Sequence, residues 1–250
     1  MTENGSSAAG VQPAEPEISV VVPFYNESGA AEALLDEIRT ALDGPHPIRF
    51  EIVAVNDGSS DDTGGILRRW ASTDDRLRPI DVEPNGGQAA ALLLGMQAAR
   101  APILVTMDGD GQNDPADIPG LLERLPGADM VVGYRHPRND SWLRKRMSRL
   151  ANRVRGAMLH DGVRDSGCAL KVMRREVADS FLPMKTLYSF MPALAVAGGF
   201  RVIEAPVHHR ARKSGVSSYG FRQFLWRPFV DLLGVWWFVR RRIPAGRKSS

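Results

Sequence analysis

Short apolar runs alternate along the chain with longer segments in which apolar residues recur at helical spacing. The short runs are rich in β-branched residues and predict buried strands at 18–22, 50–55, 77–82, 103–107 and 201–207. The longer segments predict helices at 29–42, 61–70 and 89–99. We expect the first strand to stop at Pro23 and the second helix to be capped by Asp61 or Asp62. Strands that alternate with helices of this length predict an α/β fold, in which helices cover a mostly parallel sheet.

The two ends of the chain depart from this alternation. Residues 1–16 are rich in Ser, Gly, Ala, Pro and Glu, which predicts a disordered tail. Residues 17–220 form the predicted folded domain. Residues 221–250 are predicted to form an amphipathic helix followed by a basic tail.

The helix predicted near the C-terminus has one apolar side. That side consists of Phe221, Phe224, Leu225, Pro228, Leu232, Val235, Trp236 and Val239. Arg227 and Asp231 lie opposite and argue against a membrane-spanning helix, while the tryptophans and the arginines at 240–242 favour a helix in the headgroup region. The alternative is a helix that packs on the core or forms an oligomer contact.

Composition narrows the class of protein. The 250 residues are 43% apolar and 24% charged, as in soluble globular proteins, and no run of 18 apolar residues predicts a membrane span. A single cysteine, Cys168, excludes an internal disulfide and a zinc cluster, and we interpret it as a small buried residue. The first residues lack the features of a secretory signal, so we expect a cytoplasmic protein.

Polar clusters follow four of the predicted strands. They are Asn26 and Glu27, then Asp57, then 85–88, then Asp108 and Asp110. The ligand crevice of a parallel sheet lies beyond the carboxyl ends of its strands, so we expect these clusters to lie at one edge. Two aspartates separated by one residue suit Mg²⁺ or Mn²⁺ bridged to phosphate oxygens. The sequence therefore favours a nucleotide-diphosphate site with a carboxylate-bound metal.

Two competing interpretations of these clusters fail on particular residues. An EF-hand beginning at Asp108 would need glycine where Asn113 stands and glutamate where Pro119 stands. No G-x-G-x-x-G follows a predicted strand and no P-loop is present, so neither a nicotinamide-binding site nor a P-loop site is predicted.

The order and spacing of the motifs carry a family resemblance. Val22-Pro-Phe-Tyr-Asn-Glu27, Asn56-Asp-Gly-Ser-Ser-Asp-Asp-Thr63, Asn85-Gly-Gly-Gln88 and Asp108-Gly-Asp110 together resemble the family 2 glycosyltransferases of GT-A fold, over residues 18–220. More narrowly, Asp108 to Pro115, Gly133-Tyr-Arg135, Arg164 to Lys171 and Arg212 to Tyr219 resemble the polyprenyl-phosphate sugar synthases, in the dolichol-phosphate mannose synthase branch.

The resemblance implies roles for particular residues. The implied donor-binding residues are Pro23, Tyr25, Glu27, Asp57, Gln88, Asp108 and Arg212. The implied ligands of Mg²⁺ or Mn²⁺ are Asp108, Asp110 and Gln112. The implied acceptor-phosphate residues are Arg135, Arg144, Ser148 and Lys213, and the catalytic residues are Asp110, Arg135 and Arg144. Ser218 stands where that branch has a lysine in its phosphate loop, so Lys213 would have to supply this contact.

The chemistry of the acceptor explains why arginines would suit this site. A phosphate monoester is largely dianionic at neutral pH and needs no general base, whereas a sugar hydroxyl would need one. The planar fork of arginine binds phosphate oxygens bidentately. The basic cluster available for this consists of Arg135, Arg138, Arg144, Lys145, Arg146, Arg149, Arg153 and Arg155. Most of it lies on a basic amphipathic helix predicted at 142–159, whose apolar stripe includes Val154 and Met158.

We therefore expect an inverting transferase that moves a hexose, with GDP-mannose as the first choice of donor, to a polyprenyl phosphate. UDP-linked hexoses or uronic acids, and a glycan hydroxyl as acceptor, stay open as alternatives, as does a non-catalytic nucleotide-sugar or membrane-adaptor protein. The basic helix and the C-terminal helix predict peripheral attachment to the inner face of the cell membrane. No nucleic-acid recognition motif accompanies the basic residues, and an oligomer stays open.

Overall fold

The computed structural model describes residues 15–135, 153–210 and 223–242. The strands are β1 (Ile18–Phe24), β2 (Phe50–Asn56), β3 (Leu77–Asp81), β4 (Ile103–Thr106), β5 (Met130–Arg135), β6 (Lys171–Arg174) and β7 (Val202–Val207). The helices are α1 (Ala31–Leu42), α2 (Thr63–Ala71), α3 (Gln88–Ala98), α4 (Ile118–Leu122), α5 (153–159), α6 (Arg175–Asp179), α7 (Leu187–Ala197) and α8 (Gln223–Arg241). Short 3-10 turns lie at Pro115–Asp117 and Leu125–Gly127.

The strands form one mixed sheet in the order β3-β2-β1-β4-β6-β5-β7. Within the described chain β6 alone runs antiparallel to its neighbours, and the other strands share one direction. The predicted mostly parallel, helix-covered sheet is thus confirmed. The carboxyl ends of β1, β2 and β4 meet at one edge, which will be called the carboxyl edge of the sheet.

The first strand continues through Pro23, contrary to the expectation that proline would stop it. Pro23 pairs with Val55 of β2 and Phe24 pairs with Asn56. Toward β4, pairing ends where Val21 meets Thr106. The Val21 carbonyl accepts from the Met107 amide on that side, and alternate residues of a strand point the same way, so the missing N–H of Pro23 lies past the end of β4. No ladder bond is lost there, and proline is tolerated.

Two apolar layers cover the two faces of the sheet. Val20 and Val22 of β1 face the layer that contains α1 and α2, while Val21 between them faces the layer of α3 and α7. Helix α3 lies so close to the sheet that a Cβ on Gly95 would come 2.4 Å from Val21 Cγ1. Glycine at this position therefore lets α3 approach the centre of the sheet. The apolar stretch at 181–200 supplies α7, most of which is buried.

Helix α8 packs on the protein through part of the side that the sequence assigned to a membrane. Leu232 and Val235 are buried and, with Trp236 and Val239, join the layer of α7. For these residues the alternative of packing on the core is what the structure shows. Within the described residues no helix is long and apolar enough to span a bilayer.

The basic helix predicted at 142–159 is described only over its last turns, as α5. Arg155, expected on its charged surface, is buried, pairs with Asp161 and donates to the Val163 carbonyl at 2.7 Å. Val154, expected on the apolar stripe, is exposed instead. The sequence interpretation was wrong for these two residues, because the loop at 160–163 supplies a carboxylate that draws Arg155 inward. The tail at 1–14 lies outside the described residues.

Candidate active site at the carboxyl edge of the sheet

The turns after β1 and β2 are tied together by side-chain hydrogen bonds. Asn26, which adopts a positive φ of 53°, accepts at Oδ1 from the Ser60 amide at 2.8 Å, and its own amide donates to Ser59 Oγ at 3.0 Å. The Glu27 amide donates to Thr63 Oγ1 at 3.0 Å. Asp61, rather than Asp62, holds the start of α2, because its carboxylate accepts from the Thr63 amide. These bonds hold the turn after β1 and the turn after β2 in a fixed arrangement relative to each other.

Asp57 connects the turn after β2 to the glycine-rich turn after β3. Its Oδ1 accepts from the Gly86 amide at 2.8 Å, and its carbonyl accepts from Asn85 Nδ2 at 2.6 Å. Gly58 has a φ of +66°, and a Cβ there would lie 3.0 Å from the Asn85 nitrogen, so only glycine fits. Asp57 is 2% exposed and is held rigidly at the edge.

Asp108 follows β4 and meets the start of α3. Gln88 Nε2 donates to Asp108 Oδ1 at 2.6 Å, and the Asp108 amide donates to Asn113 Oδ1 at 3.3 Å. A Cβ on Gly109 would lie 2.7 Å from the Pro23 carbonyl oxygen, so this turn packs directly against the end of β1. The fourth predicted cluster therefore lies at the same edge as the other three.

The electrostatics of Asp108 and Asp110 fit a divalent cation. Burial and the charge of Asp110 raise the pKa of Asp108 to about 6, although Lys171, Gln88 and Arg135 oppose the shift. Asp110 Oδ1 also accepts from the Gln112 amide at 3.1 Å, which shapes the turn around the pair. Where one carboxylate raises the pKa of a buried neighbour, a bound cation relieves the repulsion between them.

The described residues hold no group of three His, Cys, Asp or Glu side chains that could bind a metal by themselves. Asp108 and Asp110 would therefore need further oxygen ligands, such as the side-chain amide oxygen of Gln112 and phosphate oxygens of a substrate. Mg²⁺ in phosphate-transfer sites is commonly bound in this way, by one or two carboxylates plus substrate oxygens. The donor set fits a metal that binds together with a diphosphate.

Arg135 at the end of β5 is oriented by Asp165. Its Nε and Nη2 donate to the two carboxylate oxygens of Asp165, each at 2.8 Å, and its backbone amide donates to the same side chain at 3.2 Å. The charge of Arg135 acts on Asp108, and the charges of Arg135 and Asp165 both act on Lys171. The motif resemblance points to Arg135 but gives Asp165 no role. The pairing joins β5 to the loop before β6, residues about thirty positions apart, so no local pattern reveals it.

Lys171 is a buried amine that the sequence analysis also missed. It donates to the Cys168 carbonyl, and it lines a small cavity together with Pro23, Gln88 and Asp108. Burial lowers the pKa of Lys171, while Asp108 and Asp165 favour its charged form. A lone lysine inside an apolar strand segment was the available signal. Cys168 is buried as expected, and burial raises the pKa of its thiol to about 11.

The segment after β7 supports the turn that contains Asp110 and Gln112. The Arg210 amide donates to the Gln112 carbonyl at 2.9 Å, and its guanidinium bridges Asp114 at 2.7 Å and Glu37 of α1 at 2.5 Å. His208 donates from its amide and bonds through Nδ1 to Asp117, whose hydrogen bond and charge raise the pKa of His208. The His208 side chain is exposed, so this contact lies at the solvent edge of the site.

The structure brings together the predicted residues that it describes around β1, β2, α3 and β4. These are Pro23, Glu27, Asp57, Gln88, Asp108, Asp110 and Gln112. Tyr25 lies on the turn after β1 with its ring half-exposed, and Arg135 lies at the end of β5. Arg144, Ser148, Arg212 and Lys213 lie outside the described residues. The roles assigned to all of these residues stay predictions.

Comparison with protein families and curated proteins gives a consistent answer. A model of the family described as Glycosyl transferase family 2 matches residues 19–182. The chain is 37% identical over 240 residues to a dodecaprenyl-phosphate galacturonate synthase of Rhizobium johnstonii, covering 92% of this chain and 69% of the relative. It is 34% identical over 210 residues to an undecaprenyl-phosphate 4-deoxy-4-formamido-L-arabinose transferase of Aeromonas hydrophila, covering 83% of this chain and 64% of the relative. The chain thus spans about two thirds of the length of these relatives.

Solved structures share the fold at lower sequence identity. Glucosyl-3-phosphoglycerate synthase from Mycobacterium tuberculosis, in complex with phosphoglyceric acid, has a TM-score of 0.66 at 19% identity, covering 92% of this chain and 82% of that one. A mannosyltransferase from Pyrobaculum calidifontis, in complex with GDP-Man and Mn²⁺, has a TM-score of 0.65 at 23% identity, covering 93% of this chain and 66% of that one. The expected GT-A-like architecture is therefore confirmed.

Proposed function

Because the chain belongs to glycosyl transferase family 2, we propose that it transfers a sugar from a nucleotide-diphosphate sugar to a polyprenyl phosphate. The observation that carries the proposal is the pair Asp108 and Asp110 at the carboxyl edge, where burial and mutual repulsion raise the pKa of Asp108. A pair of this kind suits a divalent cation that binds with the diphosphate of a donor. The names of the curated relatives support a polyprenyl phosphate as the acceptor.

The proposed metal is Mg²⁺ or Mn²⁺, held by Asp108, Asp110 and Gln112. When bound, it would neutralise negative charge on the leaving nucleoside diphosphate. Gln88 keeps one oxygen of Asp108 in a fixed direction through the bond at 2.6 Å. The backbone amide of Gln112 holds one oxygen of Asp110 in the same way. These contacts prepare the carboxylates before the donor arrives, which lowers the reorganisation that catalysis would otherwise require.

The proposed donor site lies on the other three turns of the edge. Asp57 is fixed by Gly86 and Asn85, so it can offer its remaining acceptor capacity to a ribose or base without moving. Pro23 and Glu27 shape the end of β1 beside it. Tyr25, with its ring half-exposed, offers an aromatic face to a nucleotide base, and we assign Arg212 to the donor phosphates.

The proposed acceptor site is organised around Arg135. Asp165 accepts from Nε and Nη2 of Arg135 and so fixes the direction of the guanidinium. The charge of Arg135 acts on Asp108, and because the side chain is already held, no flexible arginine has to be ordered when the acceptor binds. The same pairing engages Asp165 as an ion-pair partner and makes it a poor general base. The pairing is consistent with an acceptor phosphate, because a phosphate dianion needs no base. We assign Arg144, Ser148 and Lys213 to the same phosphate.

For the donor sugar we propose a galacturonate-like or related hexose, since the relative from Rhizobium johnstonii is named for galacturonate. GDP-mannose, favoured by the motif resemblance to dolichol-phosphate mannose synthases, is the second candidate. We further propose that the protein works on the inner face of the cell membrane as a peripheral protein, and that its acceptor is presented from that membrane.

An assay with labelled donors tests the proposal. The full chain with Mn²⁺ or Mg²⁺ is offered UDP-galacturonate, UDP-glucose or GDP-mannose, together with detergent-dispersed undecaprenyl phosphate. We expect label to enter the organic phase with one donor class, and only when the acceptor carries its phosphate. Undecaprenol, which lacks the phosphate, is the matched acceptor control.

Two results would contradict the proposal. Label that enters a water-soluble glycan offered in a parallel reaction, but never the organic phase, would assign the acceptor to a sugar hydroxyl. Equal transfer to undecaprenol and to undecaprenyl phosphate would remove the argument that acceptor charge replaces a general base. An Asp110→Asn variant serves as the control for background transfer.

A further inference from the structure

The outer face of α8 carries three large apolar side chains in a row. Val230 is 61% exposed, Leu233 is 43% exposed and Trp237 is 55% exposed. Their spacing of three and then four residues places them on one face of the helix. They will be called the apolar row. The apolar spacing of the sequence predicts that the opposite side of this helix contacts a membrane, so only the structure reveals the apolar row.

The inner side of α8 holds the apolar row in a fixed orientation. Leu232 and Val235 are buried against the layer that contains α7. At the end of the helix, Arg242 donates to the Leu194 carbonyl at 2.7 Å and to the Ser180 carbonyl at 3.0 Å. One side of the helix is therefore packed against the protein, while the other side still exposes apolar side chains. Exposed apolar side chains on a helix whose other side is packed on the protein are typical of an interaction surface.

Positive charge follows directly after the apolar row. Arg240 and Arg241 are exposed, and their guanidinium groups lie over the rings of Trp236 at 4.4 Å and Trp237 at 5.0 Å. From residue 232 to residue 250 the sequence contains five basic residues and no acidic one. Tryptophan beside arginine at the end of an apolar face is the pattern found at the boundary between lipid chains and headgroups.

We propose that the apolar row docks onto the surface of a bilayer that contains anionic lipids, with Trp237 at headgroup level and Arg240 and Arg241 against lipid phosphates. The contact is shallow, since the helix lies on the bilayer with one face only. Charge complementarity favours this occupant over a second copy of the chain, which would present the same positive end. The inference deepens the proposed function and rests on it, because the acceptor would then be anchored in the bilayer that the protein binds.

Vesicle binding without any substrate tests the inference. The full chain is mixed with vesicles of phosphatidylcholine alone or with one third phosphatidylglycerol, and bound protein is measured by flotation. We expect binding to the anionic vesicles, weakened at least about tenfold by the double variant Leu233→Ser with Trp237→Ser. Arg240→Gln and Arg241→Gln should each weaken it about fivefold. Leu94→Ser with Leu182→Ser, at apolar side chains exposed elsewhere, is the matched control and should bind as the parent does.

Several results would overturn the docking site. Unchanged vesicle binding by the Leu233 and Trp237 double variant, with its fold intact by circular dichroism, would do so. So would a parent chain that sediments as a dimer while the double variant sediments as a monomer, because the row would then be an interface between copies. Release by inorganic phosphate at constant ionic strength would indicate a simple anion site. Transfer to detergent-dispersed undecaprenyl phosphate separates the two proposals, since the double variant should retain it.

Discussion

Two regions with buried carboxylates lie at opposite ends of the same strands and differ in how their charges are compensated. At the amino ends, Glu51 accepts from Ser19 Oγ at 2.7 Å, from the Arg100 amide at 2.6 Å and from Arg78 at 2.9 Å. Burial alone would raise its pKa, but these donors outweigh burial, and the pKa of Glu51 is lowered. At the carboxyl ends, burial and a second carboxylate raise the pKa of Asp108.

The difference indicates that the two regions have different roles in one sheet, since one stabilises the fold and the other is the candidate site. The donors around Glu51 already satisfy its charge, so it stabilises the fold and requires no ligand. The negative charges of Asp108 and Asp110 repel each other, and the two carboxylates stay close only because the rest of the fold holds them there. A carboxylate pair of this kind gains from a ligand that brings positive charge. The comparison predicts opposite responses to neutralising one carboxylate in each region.

The largest effect is expected for Asp110→Asn. Because asparagine keeps the shape of the side chain but removes the charge that we propose binds the metal, transfer should fall at least about a hundredfold, which corresponds to about 3 kcal/mol in the barrier. The free energy of unfolding without metal should stay the same or rise, since one of two repelling charges is gone. Initial rates and urea unfolding measure the two quantities, and Asp75→Asn, at an exposed carboxylate, is the control. A variant that loses stability and activity together would assign the pair to the fold instead.

Glu51→Gln should give the opposite result. The amide cannot satisfy Arg78 and the two other donors as a carboxylate does, so the free energy of unfolding should fall by about 2–3 kcal/mol. The rate of transfer per folded molecule should stay within about twofold of the parent, since metal catalysis is not touched. Asp36→Asn, at an exposed ion pair with Arg39, is the matched control and should change stability by less than about 0.5 kcal/mol. Equal stability losses at Asp36 and Glu51 would contradict the contrast between the two regions.

Acid should remove the stabilisation by Glu51. A carboxyl group with a lowered pKa in the folded state contributes stability that is fully present above its ordinary pKa of 4.5 and is lost as the pH falls through the folded value. The difference in unfolding free energy between the parent and Glu51→Gln should therefore be constant near neutrality and shrink below about pH 4.5. Urea unfolding at a series of pH values measures it. A difference that grows with acid would mean that the sign of the shift is wrong.

The smallest effect is expected at the support of the turn that we propose binds the metal. Arg210→Met removes the bridge between Asp114 and Glu37 but leaves the backbone bond to Gln112. The Mn²⁺ concentration for half-maximal activity should rise about threefold, with the maximal rate nearly unchanged, because outer partners tune metal affinity. Arg69→Met, at an exposed ion pair on α2, is the control. A lower maximal rate at saturating metal would show that Arg210 acts on the reaction itself.

Much of the fold could be predicted because its signals are local. The β-branched runs and the helical spacing predicted the alternating elements, and the polar residues after the strands predicted the edge at which Asp57 and Asp108 now lie. The error at Pro23 came from treating proline as a stop without knowing where β4 ends. The errors at Val154 and Arg155 arose because helical periodicity marks an apolar face but not what packs against it.

The sequence by itself determined the α/β architecture, the family and the placement of the four polar turns, since strand periodicity and turn residues act over a few positions. Only the tertiary structure decided that Asp165 orients Arg135, that Lys171 lies buried beside Asp108, and that Arg210 supports the turn of Gln112. It also decided which side of α8 faces outward. These contacts join positions far apart in the chain, and their energies depend on burial and distance, which exist only once the sheet has brought its strands together.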